Sequence, residues 1–94
     1  MEKQLIIPMY RLNTTKNIED ISYDEQDIFL FRRDYDIVAR KKQFEALSWA
    51  MSNPTYDFKS ISPIFKDLKF TNEEIYKYLK KLHDFMQKNK LDIE

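Results

Sequence analysis

The 94 residues hold sixteen Lys plus Arg, sixteen Asp plus Glu and one His, for zero formal net charge, so no global field draws in nucleic acid or an anionic membrane. There is no Cys and no Gly, which excludes disulfides, thiolate nucleophiles, thiolate zinc sites and Cys-ligated clusters, and also the glycine-dependent phosphate loops, dinucleotide fingerprints and nucleophile elbows in standard form. The apolar fraction of 43%, with seven Phe, six Tyr and one Trp, belongs to a folded chain, and the length predicts one domain, 1–94, burying about 64% of its unfolded surface.

The first twelve residues read MEKQLIIPMYRL. Their apolar run is too short and too interrupted for a signal peptide or a membrane span, so a cytoplasmic protein without a membrane partner is expected. Within it, Leu5–Tyr10 offers a short strand. From Thr14 to Tyr35 two readings stand. Ser22-Tyr23-Asp24-Glu25 has the form of a capping box, and no Gly or Pro interrupts the chain from Met9 to Asn53, which favours a helix through Ile28, Phe31 and Tyr35. Ile28-Phe29-Leu30-Phe31 is also a continuous apolar run with strand propensity, able to pair with Leu5-Ile6-Ile7. Helix is the reading preferred here.

A helix is predicted from Asp36 to Ser52, with Ile37, Phe44, Leu47 and Met51 as its apolar stripe and Trp49 and Ala50 widening it. Ser52-Asn53-Pro54 stops it, because the residue before proline disfavours helix. Tyr56–Ile61 and Ser62–Leu68 read as one or two short helical turns, the second started by Ser62 as N-cap with Pro63 behind it. The last element is the clearest. Thr71-Asn72-Glu73-Glu74 is a capping box, and Ile75, Tyr78, Leu79, Leu82, Phe85 and Met86 recur at three- and four-residue steps with Lys77, Lys80, Lys81, Asp84 and Lys88 opposite, predicting an amphipathic helix over Asn72–Lys88. The expected fold class is mainly α: a small compact helical domain in which the Asp36–Ser52 and Asn72–Lys88 helices pack together and Ile61, Ile64, Phe65 and Leu68 close the core. A short N-terminal strand or two-stranded hairpin is the α+β alternative.

Two charged segments are candidate sites. Glu19, Asp20, Asp24, Glu25 and Asp27 put five acids in nine residues, with no base from Ile18 to Phe31. With Tyr23 as a desolvated anchor, they could recruit a protein with a basic surface, speeding encounter and fixing register. The plainer reading is a solvated helix start, where acids meet the positive end of the helix dipole. A calcium loop would need stricter oxygen spacing and a glycine at its turn. Arg32, Arg33, Arg40, Lys41 and Lys42 form the basic cluster, which on one helix could begin a phosphate-binding surface beside Tyr35. The plainer reading is an exposed face whose long stems cover apolar surface.

His83 is the only imidazole, so a triad or two-histidine metal motif has one candidate at most, and an edge-of-core position suits it better. Trp49 is either an interface anchor or core. The short helix, the Phe70-Thr71 turn and the last helix resemble, in spacing, the second and third helices of a helix-turn-helix. That resemblance implies nucleic-acid binding, yet it would present Asn72, Glu73 and Glu74 to the major groove, where phosphates repel carboxylates. The function expected is therefore a non-enzymatic protein-binding regulator of the inhibitor, immunity-protein or antitoxin type, from a microbial or phage system, that occludes a partner surface. A nucleic-acid-binding helix-turn-helix module is the alternative. No catalytic residue, cofactor or metal is expected.

Overall fold

A computed structural model describes residues 2–93, the side chain of Glu2 excepted. The chain opens with a continuous helical run: a 3₁₀ turn Glu2–Leu5, a single α-turn α1 (Ile6–Met9) and a second 3₁₀ turn Tyr10–Thr14. A 3₁₀ turn Ile18–Asp20 leads to α2 (Glu25–Asp34) and α3 (Ile37–Met51). Short 3₁₀ turns at Phe58–Ile61 and Pro63–Phe65 then carry the chain to α4 (Asn72–Lys88). The radius of gyration is 12.6 Å, close to the roughly 12.4 Å expected of one globule of this length.

The domain is mainly helical, and among the described residues there is no strand. The strand expected at Leu5–Tyr10, and its pairing with Ile28–Phe31, are replaced by helix at both places. Pro8 is the third residue of α1, and its fixed φ suits the helical backbone of this run. The Ile28–Phe31 run follows directly on a strong helix start. That start lies two residues later than the Ser22/Glu25 box: Asp24 Oδ1 accepts from the N–H groups of Gln26 (3.0 Å) and Asp27 (3.2 Å), and Asp27 Oδ2 accepts from the Asp24 N–H (2.9 Å). The later start leaves Tyr23 outside the helix, its ring stacked on Phe85 with centroids 4.7 Å apart. Tyr23 and Ile28 thereby take the two positions of a hydrophobic staple.

Helix α3 begins on Asp36, whose Oδ1 accepts from the Ala39 N–H at 2.8 Å, and ends at Ser52. Its buried face differs from the expected stripe. Arg40, Gln43, Ala46, Leu47 and Ala50 are buried, whereas Ile37, Phe44 and Met51 are only half-buried. The two alanines let α4 and the Glu2–Leu5 turn approach closely, which moves large side chains to the flanks. There Phe44 stacks on His83 at 4.8 Å and Trp49 meets Tyr56 edge-on at 4.9 Å.

Helix α4 follows its sequence pattern. Thr71 Oγ1 accepts from the Glu74 N–H (3.1 Å) and Glu74 Oε1 from the Thr71 N–H (2.9 Å), so the capping box is complete. Ile75, Tyr78, Leu79, Leu82 and Met86 are buried, and Phe85 is half-buried. They meet Leu5, Met9, Leu12, Leu47, Phe58, Phe65 and Leu91 in one core. Of the four residues expected to close it, Phe65 is fully buried, Ile61 and Leu68 are half-buried, and Ile64 is 50% exposed. Phe58 fills the place instead, its backbone N–H held by Asn72 Oδ1 at 3.0 Å. The stretch matched to the second helix of a helix-turn-helix holds two separate 3₁₀ turns, Phe58–Ile61 and Pro63–Phe65, neither long enough to be that helix.

Candidate functional site

Helix α2 lies on the molecule without being absorbed into it, for none of its ten residues is fully buried. Its inner side rests on the body through half-buried Ile28, Leu30 and Phe31, with Phe31 6.2 Å from Phe85 between ring centroids. Glu25, Gln26, Phe29, Arg32 and Arg33 are exposed, and the i, i+4 and i, i+3 steps among them put them on one outer face. Phe29, in the middle, is 63% exposed, more than any other large apolar side chain described.

The acidic candidates divide by role. Glu19, Asp20, Asp24 and Glu25 are exposed around the N-terminal end of α2. Asp24 and Asp27 are also the reciprocal caps of that helix, so their carboxylates have a structural task. Asp20 Oδ2 accepts from Asn17 at 3.4 Å. Tyr23 is half-buried against Phe85 and is not free to act as a projecting anchor. Burial pushes its hydroxyl above the ordinary tyrosine range. Phe29 is the exposed aromatic that sequence reasoning passed over, because an isolated apolar run does not say which of its residues faces out.

The basic candidates are divided between two helices. Arg32 and Arg33 are exposed on α2, with Arg33 Nε bonded to Asp34 at 2.9 Å, and Lys41 and Lys42 are exposed on α3. Arg40 is 5% exposed, and its Nη1 reaches the Tyr35 carbonyl oxygen at 3.5 Å. His83 stacks on Phe44 and bonds to Asp84 through Nδ1 at 3.1 Å, which holds the Asp84 carboxyl below its ordinary range.

Between α2 and the body runs a cleft of about 200 Å³. Ile7 and Pro8 of α1 and Leu82 of α4 supply apolar wall, as do Leu30 and Phe31 of α2. Polar groups enter from Arg11, Tyr23, Asp27, Asp34, Tyr35, Gln43 and Tyr78. The Tyr78 hydroxyl donates to the Pro8 carbonyl oxygen, and burial holds it far above its ordinary range. Among the described residues no group of three or more His, Cys, Asp or Glu is placed to hold a metal, and no helix is long and apolar enough to cross a membrane. The chain matches no known protein family, no curated protein and no solved structure.

Proposed function

We propose that this protein is a non-enzymatic regulator that binds and occludes another protein through the outer face of α2. The observation that carries the reading is Phe29, a large apolar side chain 63% exposed at the centre of a helix face with an acidic N-terminal end. Anchors of this kind supply much of the energy of protein interfaces when they enter a pocket. The surrounding acids, Glu19, Asp20, Asp24 and Glu25, steer a basic partner surface and set its register more than they add affinity. An inhibitor, immunity protein or antitoxin acts by this kind of occlusion. The nucleic-acid alternative draws less support, since Arg40 is buried and Arg33 is paired with Asp34.

The test starts from the tagged full chain, used to capture a partner from an extract of its own cell, followed by association kinetics on the purified pair. Phe29→Ala is expected to speed dissociation by about tenfold or more while leaving the circular dichroism spectrum unchanged. A Glu19→Gln, Asp20→Asn, Glu25→Gln triple variant, which spares both caps, is expected to slow association and flatten its salt dependence. Unaltered kinetics in both variants would overturn the reading. So would salt-sensitive retention of the wild type on heparin with no captured protein, which is the signature of phosphate contacts.

A further inference from the structure

The outer face of α2 is its own complement. Glu25 and Gln26 lie four and three residues before Phe29, and Arg33 and Arg32 lie four and three residues after it. At 1.5 Å per residue, the acid and the base at the two ends stand about 6 Å to either side of Phe29 along the helix axis. All five side chains are exposed, and no residue of α2 is fully buried. The charges on this face are not consumed within the chain. Among the described residues no ion pair includes Glu25 or Arg32, and Arg33 meets Asp34 through Nε at 2.9 Å, a contact that leaves its Nη groups for a second carboxylate.

From this symmetry we infer that a second copy of the chain docks on this face, in an antiparallel pair of α2 helices whose two-fold axis passes beside Phe29. Such an axis sets each residue before Phe29 against the residue equally far after it in the other copy. Glu25 of one copy then faces Arg33 of the other and Gln26 faces Arg32, each pair occurring twice around a central contact between the two Phe29 rings. A parallel pair would set Glu25 on Glu25 and Arg33 on Arg33, a like-charge juxtaposition that costs affinity, so the charges choose the orientation. The face is small. A ten-residue helix is about 15 Å long, and five side chains a copy fall well short of the roughly 20–30 residues a side of a standard interface. The pair is therefore weak and reversible, with a Kd between about 10 μM and 1 mM. Pairing covers Phe29, and so masks the face until a tighter partner displaces the second copy. The masking role rests on the protein-binding reading; the pairing itself does not.

Sedimentation of the full chain over about 10 μM to 1 mM tests the pairing. The wild type is expected to pass reversibly from monomer to dimer. Glu25→Arg, which spares both caps, makes a face with a base at each end, and Arg33→Glu makes one with an acid at each end. Each variant alone is expected to self-associate about tenfold or more weakly. Mixed in equal amounts, the two are expected to regain wild-type association as a mixed dimer, a rescue that a folding defect in either could not produce. Phe29→Ala is expected to stay monomeric throughout with an unchanged circular dichroism spectrum. A monomeric wild type overturns the inference, as does undiminished self-association in both charge variants. A mixture that fails to associate overturns the antiparallel register and the inference with it. Capture of another protein through Phe29 by a chain that sediments only as a monomer overturns the pairing and leaves the occlusion reading standing. Dimerisation with the mixed-variant rescue, but no captured protein, supports the pairing and counts against occlusion alone.

Discussion

Lys90 shows how a chain without glycine ends its last helix. Its φ is 54°, in the left-handed region, where a Cβ costs about 1–2 kcal/mol. The strain is tolerated because it closes a Schellman motif: the Leu91 N–H bonds to the Met86 carbonyl at 2.9 Å and the Lys90 N–H to the Gln87 carbonyl at 3.3 Å. Leu91 and Met86, both fully buried, provide the hydrophobic contact that accompanies such caps. Lys90→Gly is therefore expected to stabilise the protein by about 0.5–1 kcal/mol, the relief of strain less the added freedom of the unfolded chain. Lys90→Ala should give no gain, since it keeps the Cβ. Urea unfolding of the three proteins checks this. None of it was readable from the periodicity of α4, which ends at Lys88 and says nothing of where Leu91 goes.

At the scale of the element, helix starts were legible to different degrees. Thr71/Glu74 is complete as read, whereas the box of α2 sits at Asp24/Asp27 and not at Ser22/Glu25. Both registers satisfy the same local chemistry, and the stacking of Tyr23 on Phe85, from α4, decides between them. The two registers make opposite predictions. Asp24→Ala should cost about 1 kcal/mol through loss of the cap, and Ser22→Ala should stay within about 0.5 kcal/mol of wild type, as for an exposed site. Helicity and urea midpoints of the two variants distinguish them, and the reverse order would restore the earlier register. Helix α3 is the harder case. Its extent followed from Asp36 and Pro54, but its buried face includes Arg40 and Gln43, which no scale of hydrophobicity selects.

The whole molecule is tied across its length by Tyr78, whose hydroxyl on α4 donates to the Pro8 carbonyl oxygen in the first helical run, and by Lys81 Nζ, which donates to the Ile21 carbonyl oxygen. Tyr78 and the neighbouring Tyr23 are both raised above their ordinary range, mainly by burial. Folding therefore favours their protonated forms. Their contribution to stability is present in full below about pH 10, the ordinary tyrosine value, and is lost as pH rises above it. Denaturation midpoints measured from about pH 8 to 11 are expected to fall along the alkaline limb. Tyr78→Phe, weaker at neutral pH, should show a shallower fall. An identical alkaline slope in both proteins would contradict this account.

The sequence by itself determined the fold class, the positions of α3 and α4, and the exclusion of cysteine- and glycine-dependent chemistry, because composition, periodicity and caps act over a few residues. Only the tertiary structure decided which side of each helix is covered. It put Phe29 outward and Arg40 inward, made caps of Asp24 and Asp27, and opened the cleft between α2 and the body. Those outcomes depend on contacts between residues far apart in the chain, where the fit of neighbouring elements outweighs local preference.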